Sequence, residues 1–402
     1  MKNLIQQKAA EYKAEIIAMR RHLHQHPELS FDEIETSKFV CKQLTEYGIN
    51  YKKDIVKTGI VALIEGKNPT KKIIALRADL DALPIIEENE VSYKSLNNGV
   101  MHACGHDVHT ASLLGVAKIL NELKDKWEGS VKLIFQPGEE KLPGGASLMI
   151  EEGVLENPSP VSIIGQHVYP QLEAGKVGFR KGMYMASTDE LYLTIKGKGG
   201  HAALPSEYNN PLLIASTLLL ELDKAFMKQV PCYSLIESDN ERIPTVLAFG
   251  KIIGNGATNV IPNEVKIEGT FRTMNEAWRT EAHYKMKNIA EEIVTNLGGS
   301  CVFEIRKGYP FLVNDEEVTQ NAINAAIQFL GKENVIDLDV RMTAEDFAYY
   351  SQVIPACFYR LGIAKKNVKA SGLHTPTFDI DENAIETSIG LMSWLAINEL
   401  KK

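Results

Sequence analysis

Within eight residues, from His102 to His109, the segment MHACGHDVHTASLLG (101–115) holds three histidines, a cysteine and an aspartate, and it leads into an apolar run. Thiolate, imidazole and carboxylate together form a transition-metal ligand set, with Zn, Mn, Co and Ni all compatible. Cys104-x-His106 is a short chelate whose two donors, either side of a glycine, can face one ion. The competing readings are a Cys–His nucleophile pair and a plain loop before a helix, with Cys104 a buried thiol and His106 a surface side chain.

Similar side chains recur after other apolar segments. Asp79 and Asp81 follow IIALR, Glu139 and Glu140 follow VKLIFQ across Pro137-Gly138, His167 ends VSIIGQ, and His374 lies in the loop after ACFYRLGI. The adjacent glutamates allow a division of labour, one binding metal while its neighbour serves as general base toward water. Each has a plainer reading. Asp79 and Asp81 can be turn residues before Pro84, the glutamates a helix N-terminus favoured by the dipole, and His167 structural. His109 suits capping or support of a ligand as well as ligation, and His102 has no assigned role.

The segments that must position these residues alternate. KKIIALR (71–77), SVKLIFQ (130–136) and VSIIGQHV (161–168) read as apolar strands, with helices over 110–124 and 144–155. This order predicts a mixed, mainly parallel sheet flanked by helices, an α/β fold. In such sheets ligands bind beyond the carboxyl ends of the strands, where five separate segments deliver these side chains. Near Gly182 the texture changes. Strands at 190–200, 245–254, 264–273 and 301–308 and helices at 211–226 and 276–297 give the β-α-β-β-α-β order of a small α+β unit, placed as an insertion over 184–309. Alternation then resumes, with helices near 316–331, 344–352 and 382–400 and a strand at 356–363. Residues 1–183 and 310–402 form the metal-binding domain in this reading.

Composition narrows the function classes. A net charge of −8 argues against nucleic-acid and anionic-membrane partners. The N-terminus reads as an amphipathic helix without a signal-peptide core, and no run approaches the roughly 20 apolar residues of a membrane span. Cys41, Cys104, Cys232, Cys301 and Cys357 are odd in number and scattered, which predicts a reducing cytoplasm rather than a disulfide framework.

The motifs RRHLHQHPELSFDE (20–33), ALRADLDALPI (75–85), MHACGHDVHTASLLG (101–115), QPGEEKLPGGASLMIEEGVL (136–155), GQHVYP (165–170), MASTDE (185–190), GKGGHAALP (197–205), NVIPNEV (259–265), GTFRT (269–273), TAEDFAYY (343–350) and LHTPTFD (373–379) are collinear over nearly the whole chain. Together they resemble the aminoacylase and carboxypeptidase-G family of two-domain metallohydrolases. The nearest likeness is to hippurate hydrolases, bacterial N-acyl-amino-acid amidohydrolases and plant auxin-conjugate hydrolases. The resemblance implies a zinc-exopeptidase-like fold with two divalent metal ions (Zn, Mn, Co or Ni), held by Cys104, His106, Glu140, His167 and His374. It implies Glu139 as general base and Asp81 as the aspartate orienting a ligand. Many relatives carry a histidine where Asp79 stands, so their ligand list does not transfer whole; the cysteine enters the set instead, with a bridging thiolate one arrangement.

The inserted unit is implied to be a lid and dimerisation domain of a homodimer or dimer-based oligomer. His201 would stabilise the oxyanion in the partner subunit's site, and Asn259 and Arg272 would hold the amino-acid carboxylate. Plainer alternatives are a turn histidine for His201 and a strand-edge surface residue for Arg272. The implied activity is hydrolysis of small-molecule N-acyl amino acids. Its rivals are a metallo-exopeptidase or dipeptidase, which needs an extra acidic group near a free amine, and a non-catalytic metal-binding relative, against which the intact Glu139-Glu140 pair speaks.

Overall fold

The structure, a computed structural model, describes residues 1–227, 234–238, 241–368 and 370–402; Cys232 lies outside them. The chain forms two compact units, Met1–Gly182 with Val313–Asp339 and Asp346–Lys402, and Met183–Leu312 with Val340–Glu345.

In the first unit the apolar segments become the centre of an eight-stranded sheet. Its order is Tyr51–Ile55, Gly59–Glu65, Ser130–Gln136, Ile73–Asp79, Ile163–Glu173, Ala356–Ala364, Val177–Phe179 and Val335–Asp337. Four neighbours, from Ser130–Gln136 to Ala356–Ala364, are mutually parallel. Ser130–Gln136 and Ala356–Ala364 are buried at every residue, as strands covered on both faces must be, and apolar residues dominate both, with Lys132 and Arg360 buried among them.

Helices flank this sheet. Lys2–Gln25, His106–Glu122 and Ala384–Leu400 pack on one another and, through the last two, on the strands. Every residue from Ser388 to Ile397 is buried, which explains a helix apolar all round. The chain was not predicted to form the helix Ile34–Glu46 or the strands Tyr51–Ile55 and Gly59–Glu65. The outer strand Tyr51–Ile55 exposes its three central residues, Lys52, Lys53 and Asp54, so it carries no apolar periodicity to read. The predicted helix at 344–352 shrinks to Ala348–Ser351.

The second unit is built on a five-stranded antiparallel sheet ordered Ser234–Ser238, Glu241–Ile253, Glu264–Thr273, Asp189–Lys196 and Ser300–Lys307. The first of these extends the predicted four strands at the edge. Two helices share its core, and each opens on an asparagine cap. Asn210 accepts from the Leu212 amide ahead of Pro211–Phe226, and Asn275 accepts from the Trp278 amide ahead of Glu276–Asn296.

One polar anchor sits inside this unit. Asp189, buried completely, accepts from Arg279 Nε at 3.0 Å and Nη2 at 2.5 Å, and lies 2.6 Å from His283 Nε2. Burial alone would raise its pKa, but His283 and Arg279 hold it below the ordinary carboxylate value. The stabilisation is therefore fully present above the unfolded value of about 3.9 and is lost as pH falls toward the depressed folded value. Asp189→Asn leaves the buried Arg279 with Glu276, 2.9 Å from its Nη1, as its remaining counter-charge, and should cost about 3 kcal/mol near neutral pH. Denaturant titrations of both proteins should show this gap narrowing as pH drops below about 4. A gap independent of pH would contradict the assignment.

Candidate metal centre

The parallel strands bring their carboxyl ends to one edge, and the sequence-predicted donors of the first unit gather there. Cys104, His106 and His167 offer donor atoms within 4.8 Å of one another, as do Cys104, Glu140 and His374, and also His106, Glu139 and Glu140. Shared members join the three groups into one cluster. Cys104 Sγ is 3.4 Å from His167 Nε2, His374 Nε2 is 3.1 Å from Glu140 Oε1, and His106 Nε2 is 4.0 Å from the same oxygen.

Local backbone makes this possible. Gly105, in the left-handed region at φ 81°, turns the chain into the helix His106–Glu122. A Cβ there would lie 2.5 Å from Val168 Cγ2, so only glycine fits between Cys104 and His106. His374 also takes a left-handed conformation, at φ 59°, and its amide donates to the Ala103 carbonyl at 2.8 Å, tying its loop to the Cys104 loop.

Two aspartates hold the imidazoles. Asp81 Oδ1 lies 3.1 Å from His106 Nδ1, while its Oδ2 accepts from the Glu140 amide at 2.9 Å and the Ser30 hydroxyl at 2.6 Å. Asp79 Oδ1 lies 2.6 Å from His109 Nδ1, and His109 Nε2 accepts from the Val168 amide at 2.9 Å. Both nitrogens of His109 are thereby used, so it supports the site rather than ligating. His167 turns Nδ1 to the Val168 carbonyl at 2.8 Å, which leaves the Nε2 lone pair toward Cys104. His102 is buried with both ring nitrogens outside any hydrogen bond, and burial lowers its pKa to about 4.

The field favours positive charge. Burial would lower the His106 pKa, but Asp79, Asp81 and Glu140 lift it to about 10. Asp79 itself is held well below the usual carboxylate range, against burial, by His106, Arg77 and His109. The Cys104 thiol is pushed well above its ordinary value by burial and by Glu140, Glu139 and Asp79, so a thiolate forms there only beside added positive charge. The fit to a cation is direct: His106 Nε2 and Glu140 Oε1 are buried without a hydrogen bond, and both adjoin the cluster. A buried acceptor and imidazole left in that state are costly unless an ion uses them.

Sequence reasoning missed two supporting networks. Arg77 donates to Asp79 Oδ2 at 2.6 Å and Asp346 Oδ1 at 2.7 Å, and the Asp346 amide donates to Glu139 Oε1 at 3.3 Å. Arg20 donates to Asp107 Oδ2 at 2.7 Å, beside His24 Nδ1 at 2.8 Å, which anchors the residue following His106. Arg20, His24 and Asp346 lie in the quoted motifs RRHLHQHPELSFDE and TAEDFAYY, the only signal that marked them.

His201, Asn259 and Arg272 belong to the second unit. His201 is exposed and pairs with Val260 in a two-stranded ribbon, and the carbonyl of Asn259 accepts from the Ala202 amide, so these two lie side by side. Arg272 is half-buried on Glu264–Thr273 and donates to the Met342 carbonyl at 3.3 Å.

Residues 75–398 match the model of peptidase family M20/M25/M40. The chain is 40% identical over 371 residues to N-acetyl-L-cysteine deacetylase of Bacillus subtilis, covering 92% of this chain and 85% of that one. It is 40% identical over 307 residues to N-acyl-L-amino acid amidohydrolase of Geobacillus stearothermophilus, covering 76% and 80%. Among solved structures, a dinuclear metal-binding peptidase of the M20 family from Bacillus subtilis superposes with a TM-score of 0.81 at 32% identity, covering 98% of this chain and 99% of that one. With that extent of match, the chain belongs to the M20/M25/M40 peptidase family, hydrolases of amide bonds.

Proposed function

We propose that this protein is a metal-dependent amidohydrolase that splits N-acyl amino acids into a carboxylic acid and a free amino acid. The observation that carries the reading is the joined cluster of Cys104, His106, Glu140, His167 and His374 with Glu139 beside it. The names of its relatives, deacetylases and amidohydrolases of N-acylated amino acids, point to the same substrate class.

In this reading the five clustered residues hold two divalent ions drawn from Zn, Mn, Co and Ni, the choice following availability. Bound, the ions would act as Lewis acids toward the acyl carbonyl and lower the pKa of water toward neutrality. Glu139, buried and fixed by the Asp346 amide, takes the proton from the attacking water and returns it to the departing amine. Asp81 keeps the His106 ring and the Glu140 backbone in register. The unit Met183–Leu312 serves as lid and dimerisation domain, His201 stabilises the oxyanion in the partner subunit's site, and Asn259 and Arg272 bind the substrate carboxylate. Arg272 suits that role through its planar fork. No helix among the described residues is long and apolar enough to cross a membrane. Cys41, Cys104, Cys301 and Cys357 are free, which accords with a cytoplasmic location.

Glu139→Gln should lower kcat by about 10²–10⁴-fold on N-acetyl and N-benzoyl amino acids while metal content is unchanged. Retained turnover by a metal-replete variant would remove Glu139 as the base. Wild type should cleave an N-acetyl amino acid in preference to a dipeptide of the same C-terminal residue, and the reverse preference would make it an exopeptidase. Metal added to chelated protein at about a hundredfold its Kd should stabilise the fold by about 2.7 kcal/mol in thermal or denaturant unfolding. His106→Ala should lose most of that gain, and an undiminished gain would place the ions elsewhere.

A further inference from the structure

We infer that Glu33 is a positioning residue for this hydrolysis, holding the Gly138-Glu139-Glu140 turn through the Gly138 amide; the inference rests on the proposed role of Glu139. Glu33 is completely buried, far along the chain from the turn it meets. Its Oε1 accepts from the Gly138 amide at 2.8 Å and from the Phe31 amide at 2.8 Å, and its Oε2 accepts from the Thr58 hydroxyl at 2.6 Å.

Both amides belong to left-handed residues, Phe31 at φ 67° and Gly138 at φ 61°. For phenylalanine this conformation is strained, and it persists only where surrounding bonds over-determine it. The Phe31 ring comes within 2.4 Å of the point where a Gly138 Cβ would stand, so the ring packs against the glycine immediately before the base. The next contact in the same segment is Ser30 with Asp81 Oδ2, the oxygen that also accepts from the Glu140 amide. Residues 30–33 therefore grip the glutamate turn from both sides: through Glu33 ahead of Glu139 and through Asp81 at Glu140.

The function of Glu33 is geometric rather than electrostatic. Burial and Asp81 push its pKa up to about 7, against its three partners, all of which donate to it and favour the carboxylate. Glutamine keeps an acceptor for both amides and turns its NH₂ to the Thr58 oxygen, which can accept. Aspartate keeps the charge but is one methylene short of spanning Thr58 and Gly138.

The test compares Glu33→Gln with Glu33→Asp on an N-acetyl amino acid, with metal content and thermal midpoint measured for each. Glu33→Gln should keep kcat within about threefold of wild type, while Glu33→Asp should lose about 10²-fold in kcat with KM and metal content unchanged, the scale of a misplaced catalytic group. Wild-type kcat in Glu33→Asp would overturn the inference. So would the reverse ranking, which assigns Glu33 a charge role, or a loss in Glu33→Asp that tracks lost metal. The Glu139→Gln result separates the two claims: an inactive Glu139→Gln beside a fully active Glu33→Asp refutes only the positioning role, whereas an active Glu139→Gln refutes the base itself.

Discussion

A buried cluster of carboxylates cannot persist without positive charge, and the first unit is organised around that requirement. Asp79, Asp81 and Glu139 are all buried at one strand edge, with Glu140 half-buried next to them. Arg77 neutralises part of this charge by bridging Asp79 and Asp346. The raised pKa of His106 registers the remainder, since the pocket draws a proton onto an imidazole that burial alone would keep neutral. A divalent ion would satisfy the same demand, and it would also give a partner to two buried atoms, His106 Nε2 and Glu140 Oε1, that make no hydrogen bond.

The surrounding structure keeps these groups in place. The parallel strands end at a common edge because each connection carries the chain back across the sheet before the next strand starts in the same direction. Asp81 links three separate stretches of sequence, at Ser30, His106 and Glu140, so that a shift in one is felt by the others. The Arg20–Asp107–His24 network fixes the first turn of the helix that carries His106. Buried networks of this kind hold the residues they join, which suits a site whose ligands must keep their spacing, although Arg20 Nη1 and Asp107 Oδ1 make no hydrogen bond of their own.

Much of this was legible in the sequence. The apolar runs ending in Asp79, Gln136 and His167 marked both the strands and the edge where their neighbours meet. Cys104 and His106 were marked by their spacing around Gly105. Glu33, Arg77 and Arg20 were not, because each acts through a partner far along the chain: Glu33 through Gly138, Arg77 through Asp346, Arg20 through Asp107. Polarity and local spacing carry no trace of such pairs. The outer strand Tyr51–Ile55 was missed for another reason: its exposed Lys52, Lys53 and Asp54 give it no buried face to imprint a pattern.

The claim on which the account turns is that the Cys104 thiol, protonated in its carboxylate surroundings, becomes a thiolate ligand when metal binds. Cobalt(II) reports this directly, because a sulfur ligand adds a charge-transfer absorption in the near ultraviolet that oxygen and nitrogen ligands lack. Chelated wild-type protein titrated with cobalt should develop this band and release a proton with it, and Cys104→Ser loaded with the same metal should not show it. A band of equal strength in Cys104→Ser, or none in the wild type, would contradict the account.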